Sequence, residues 1–193
     1  MRIIAAILLL TLTTASASTE ETLPPPYNQI FLGGGTSIKG FGDTEQEIST
    51  VDILWRHGRV FFEKDTGWIR GRHEFWMETP LSIILEDSDN QDANDIGIIG
   101  LNFLFAWIFP ETTIGEPYFL IGGGPQYIMA DIDGVSSDIC GNYQAGIGTR
   151  FLVTEKHPVN LEIRYHHISN LGMKYPNVPI NSVKFFIGAT LPF

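Results

Sequence analysis

The sequence predicts an all-β fold, an eight-stranded antiparallel transmembrane β-barrel of the outer-membrane type. Three observations carry that prediction. Several segments alternate apolar and polar side chains with a period of two, the pattern of strands with one lipid-facing and one interior face. Residues 3–12 form an apolar run behind Arg2 and ahead of Ala15-Ser16-Ala17, too short for a spanning helix and ordered like a secretory signal peptide. Near the C-terminus, Val183, Phe185, Ile187, Ala189, Leu191 and Phe193 make an unbroken apolar parity that ends on an aromatic residue.

Composition narrows the choice further. The 193-residue chain carries a net charge of −10, one unit more negative once Arg2 is cleaved away, so phosphate backbones repel it and nucleic acid is not an expected partner. Cys140 is the sole cysteine, which excludes an intramolecular disulfide and any multi-cysteine metal centre. The run Asp131-Ile132-Asp133-Gly134 has the opening of a calcium loop but lacks the later glutamate, and no metal or cofactor is expected.

Taken in order, residues 1–17 are the signal peptide and residues 18–28, with Pro24-Pro25-Pro26, an extended lead-in to a barrel over residues 29–193. The first strand is expected over 29–38 and the second over 48–56, followed by an ill-defined connection through Phe61-Phe62. The third, 68–79, alternates Ile69, Gly71, His73, Phe75 and Met77 with Arg70, Arg72, Glu74, Trp76 and Glu78. Charges on one parity are costly against lipid, so that parity is assigned to the lumen, as a salt-bridge plug joined by Glu162, Arg164 and His166. Eight strands leave room for side chains but not for an open channel.

The fourth strand, 96–109, sets Ile99, Leu101, Phe103, Phe105, Trp107 and Phe109 on one face. The fifth covers 118–130, its Gly122-Gly123-Gly124 a bend or close-packing site, since no helix pattern follows to make a phosphate cradle. The sixth spans 140–153 and the seventh 161–169. Both termini then lie in the periplasm, and segments 39–47, 86–95 (EDSDNQDAND, acidic), 131–139 and 170–181 lie outside.

The seventh strand carries the candidate chemistry. Leu161, Ile163, Tyr165, His167 and Ser169 share the apolar parity, with Glu162, Arg164, His166 and Ile168 on the other. A histidine and a serine two positions apart on one face have Cβ atoms about 6–7 Å apart, within reach of an imidazole that takes the hydroxyl proton. Presented to lipid at the outer leaflet, such a pair suits an ester in a lipid.

The run His167-Ile168-Ser169-Asn170, followed by Gly172, Lys174, Pro176 and Asn177, resembles the signature of the PagL-type lipid A 3-O-deacylases, eight-stranded outer-membrane barrels that hydrolyse an ester-linked acyl chain of lipopolysaccharide. Weaker similarity runs through Pro117-Tyr118-Phe119, Gly122 to Gly124, and Gln144 to Gly148. The resemblance implies Ser169 as nucleophile, His167 as general base, and Asn170 with the backbone near Gly172 as oxyanion donors. Lipopolysaccharide is the implied substrate and the outer membrane the location.

One position departs from the family: Asn181 stands where the family has a glutamate. An asparagine can fix an imidazole tautomer but adds no charge to stabilise the imidazolium. A catalytically silent barrel that binds lipopolysaccharide or serves structure is therefore the alternative, and Asn181→Glu is expected from sequence to raise activity if His167 is the base. A homodimer of barrels is compatible with either reading. A soluble lipocalin-type barrel is disfavoured, because it would turn the charged parities outward.

Overall fold

The computed structural model describes residues 23–87, 96–132, 134–154 and 157–191. The expected signal peptide, the acidic loop from residue 88 to 95, Asp133 and Phe193 lie outside the described residues. Nine strands follow one another: β1 (Tyr27–Ser37), β2 (Ile48–Lys64), β3 (Gly71–Asp87), β4 (Ile96–Gly100), β5 (Asn102–Ile108), β6 (Glu116–Ile128), β7 (Ile139–Thr154), β8 (His157–Ser169) and β9 (Ile180–Thr190). Every pairing is antiparallel, and β1 pairs with both β2 and β9, so the sheet closes on itself. No described residue is helical.

Strands β4 and β5 occupy one position, since both lie between β3 and β6. They are the expected fourth strand interrupted at Leu101, whose N–H still donates to Pro125 O at 3.1 Å. The glycines opposite explain the close approach there: a Cβ on Gly122 would fall 2.1 Å from Phe103 O, and one on Gly124 2.0 Å from Leu101 O. The glycine run is thus a packing site, and the barrel has eight strand positions.

Several boundaries differ from expectation. Strand β2 continues through Phe61 and Phe62 to Lys64, because a register shift between Val60 and Phe62 lets two successive aromatics face outward. Such a β-bulge breaks the period of two from which a strand is read. Trp68 and Arg70 belong to the following turn, with Trp68 87% exposed, so Arg70 does not reach the lumen. Strand β1 begins at Tyr27, inside the segment expected as lead-in.

Sidedness follows the alternation. Ile30, Leu32, Ile53, Phe75, Phe103, Ile121, Ile147, Ile163, Phe185 and Ile187 are exposed on the outer wall, an apolar band suited to hydrocarbon. Inside, Arg56, Glu78, Glu162 and Arg164 are wholly buried. Arg56 holds Glu78 and Glu162 at 2.7 Å each, and Arg164 reaches Glu78 at 2.8 Å and also binds Glu162. Arg56 is further sandwiched over Phe31 and Trp76, at 4.2 and 3.7 Å from the ring centroids. A second set, Arg72, Glu74, Arg150 and Glu116, lies towards the periplasmic end.

The expected plug therefore exists without Arg70, and His166 joins no carboxylate in it, its Nε2 lying 3.3 Å from Gln126 Nε2. Above the ionic layer, Ile48, Ile84, Ile98, Ile128, Ile132, Cys140, Ile168 and Ile180 form an apolar cluster that fills the outer end. Cys140 is a packed member of it.

Candidate active site

The site occupies the outer ends of β7, β8 and β9, on the wall that faces away from the interior. Antiparallel register sets Tyr143, His167 and Asn181 in one transverse row. Gly141 stands opposite Ser169 in the row above, and Ala145, Tyr165 and Val183 form the row below. Tyr165, His167 and Ser169 are half-buried, whereas Glu162, Arg164, His166 and Ile168 point inward. The expected outward placement of the histidine and serine is thus present in the fold.

His167 Nδ1 lies 2.7 Å from Asn181 Oδ1. The Tyr165 hydroxyl donates to the same oxygen. On its other side the Asn181 carboxamide is enclosed: Nδ2 donates to Phe41 O at 3.0 Å, Gly42 O at 3.0 Å and Thr44 Oγ1 at 2.8 Å. With acceptors grouped around the nitrogen and donors around the oxygen, the amide has one sensible orientation. An amide oxygen only accepts, so the neutral His167 imidazole carries its proton on Nδ1 and its lone pair on Nε2. The Tyr143 ring stacks on the imidazole, centroids 4.2 Å apart and planes 20° apart, holding it flat against the wall. Phe41 meets the edge of Tyr165 at 5.9 Å.

Asn170 is fully buried and its carboxamide is engaged in the loop that follows β8. Nδ2 donates to Lys174 O at 2.6 Å, Ser136 Oγ at 3.2 Å and Pro176 O at 3.3 Å, and Oδ1 accepts from Gly172 N at 3.0 Å. Its own N–H donates to Asn177 Oδ1 at 2.8 Å. Leu171 and Gly172 both adopt left-handed backbone, with φ of 57° and 73°. The residue expected as an oxyanion donor thus shapes a tight turn beside Ser169, and the Leu171 side chain lies over Gly141.

Of the residues singled out from sequence, His167 and Asn181 are in contact and Ser169 shares the outward face of β8 with His167; the groups that surround them were missed. Tyr143 and Tyr165 were readable in principle, since both share the outward parity of their strands. Phe41, Gly42 and Thr44 were not, because no local pattern announces that the loop after β1 folds onto the outer wall. No cluster of three or more potential metal ligands occurs among the described residues.

A closed sheet with an apolar exterior and an ionic interior defines a barrel of the outer-membrane type, and its outer wall carries His167, oriented by an amide, two positions from Ser169. The chain belongs to the lipid A 3-O-deacylase (PagL) family, whose profile matches residues 50–190. Its fold is similar to the crystal structure of the outer membrane enzyme PagL, at 19% identity and a TM-score of 0.62, covering 86% of this chain and 99% of that one. It is also similar to the crystal structure of Neisserial surface protein A, at 12% identity and a TM-score of 0.58, covering 87% and 97%. No curated protein matches the sequence. Family and fold together locate the chain in the bacterial outer membrane.

Proposed function

We propose that the protein hydrolyses the 3-O-linked acyl ester of lipid A, with Ser169 as nucleophile and His167 as general base. The observation that supports this reading most is the 2.7 Å contact from His167 Nδ1 to Asn181 Oδ1, made on the outward face that also carries Ser169. In the neutral ring this contact selects the tautomer whose lone pair lies on Nε2, the form a base needs. Ser169 Oγ attacks the ester carbonyl carbon as its proton passes to His167 Nε2, a transfer worth roughly 10²–10⁴-fold when the base is well placed. The carbonyl π electrons move to oxygen, and collapse of this oxyanion expels the sugar alkoxide, which takes the proton from Nε2. Water then attacks the acyl carbon as Nε2 takes its proton, and collapse of the second oxyanion breaks the bond to Ser169 Oγ, which regains the proton from Nε2 as the fatty acid leaves.

The oxyanion is assigned to the Leu171 N–H, because in the same turn the Asn170 N–H donates to Asn177 Oδ1 and the Gly172 N–H to Asn170 Oδ1, with the Asn170 side chain holding that turn in shape. Donors of this kind contribute about 2.7–4 kcal/mol each in acyl transfer. Asn181 sets the tautomer without adding charge, which favours slow turnover over the alternative of a silent, lipopolysaccharide-binding barrel only if the amide stays fixed. Expression in an outer membrane followed by mass analysis of lipid A tests the proposal. Loss of one hydroxyacyl chain, abolished by Ser169→Ala, is the expected result. Intact lipid A in the presence of correctly inserted protein refutes it.

A further inference from the structure

We infer that the loop between β1 and β2 is an amide cradle built around Asn181, and that Thr44 is a positioning residue for proton transfer by His167. The catalytic part of this inference rests on the reading above; the structural part does not.

Three acceptors converge on Asn181 Nδ2: the Phe41 carbonyl, the Gly42 carbonyl and the Thr44 hydroxyl. Thr44 Oγ1 also accepts the Asn181 backbone N–H at 3.0 Å. Thr44 and Asn181 are 2% and 1% exposed, so water cannot substitute for these partners. The approach is tight enough that a Cβ on Gly42, which has a φ of 54°, would fall 2.8 Å from Nδ2. Two of the acceptors are carbonyls and can never donate. Turning the amide over would set its oxygen against both of them and its NH2 against the proton on His167 Nδ1.

The cradle thus discriminates by chemistry. An amide satisfies it on both sides, while a carboxylate at position 181 points a charged oxygen at two carbonyl oxygens. Asn181 is consequently the residue for which this loop is built, and a carboxylate here disturbs the loop that orients it. The expectation from sequence that Asn181→Glu raises activity is reversed by this geometry.

The test uses the full-length barrel folded in detergent micelles, with native folding checked by heat-modifiable migration on gels. In protein labelled with 15N-histidine, His167 is expected to be the Nδ1-protonated tautomer. Thr44→Val is expected to admit the Nε2-protonated form and to lower kcat, with KM unchanged, by about tenfold, the scale of one lost hydrogen bond. Thr44→Ser is expected to recover most of that loss. Asn181→Asp and Asn181→Glu are expected to turn over more slowly than the unaltered protein. An Nε2-protonated His167 in the unaltered protein, a Thr44→Val protein with unchanged tautomer, or a faster Asn181→Glu enzyme would each overturn the inference. If no variant and no unaltered protein hydrolyses lipid A, the enzymatic reading fails, and the tautomer spectra still decide the cradle.

Discussion

Replacing Arg164 by Met isolates the contribution of the interior quartet. The two arginines and two glutamates of that set balance in charge and are completely shielded from solvent. Arg164 also donates to Gln144 Oε1 at 2.9 Å and lies 4.8 Å over the Phe186 ring. Without it, Glu78 and Glu162 share Arg56 alone, and one negative charge is left uncompensated in the lumen. Breaking a buried ion pair by removing one partner costs about 3–5 kcal/mol, because the remaining charge stays desolvated. Unfolding by urea in lipid vesicles, followed by tryptophan fluorescence, measures it. With a slope near 2 kcal/mol per molar, the midpoint should fall by about 1.5–2.5 M. Adding Glu162→Gln restores neutrality while leaving an acceptor for the Tyr118 hydroxyl, now 2.7 Å from Glu162. That double variant should regain at least about 1 kcal/mol over the single one. A single variant within 1 kcal/mol of the parent, or a double variant no more stable than the single, refutes the argument.

Three further outcomes follow from the geometry. Ile187→Arg puts a charge on the lipid-facing wall and should cost about 2–4 kcal/mol in the same unfolding assay, whereas its neighbour Gly188→Val fails for a different reason, its Cβ meeting Phe31 Cδ1 at 2.3 Å inside the barrel. Tyr143→Leu removes the ring stacked on His167 and should lower deacylation by a few-fold, while unfolding shows a loss of no more than about 0.5–1.5 kcal/mol, the worth of an aromatic pair. Asn170→Ala strips the loop of four side-chain hydrogen bonds and should reduce lipid A hydrolysis by about 10²-fold or more while gel migration of the folded barrel is retained.

The barrel was legible because its strands obey one rule, and the rule is physical: lipid outside, ion pairs inside. Glu74, Trp76 and Glu78 on one parity of β3, and Glu162 with Arg164 on one parity of β8, announced the lumen before any coordinates. The same alternation put His167 and Ser169 on the wall. What was not legible arose where local pattern is silent. The bulge at Phe61 hides the end of β2 because two outward residues in a row look like a broken strand. The apolar cluster at the outer end was hidden because isoleucines on the inward parity of strand tips, such as Ile48 and Ile180, read equally well as lipid-facing. Asn170 was assigned to chemistry by family resemblance, and its side-chain bonds run to its own loop and to Ser136. Thr44 gave no signal at all, since its partner lies 137 positions away.

The first and last strands meet side by side, with Phe31 opposite Gly188 and Thr36 opposite Val183. Asn181 sits on one flank of that seam and the Phe41–Thr44 segment arrives from the other. A chain inserted in the bilayer with the seam still parted would carry His167, Ser169 and Asn181, yet the acceptors that hold the Asn181 amide would be missing. Closure of the sheet and orientation of the imidazole thus rest on the same contact.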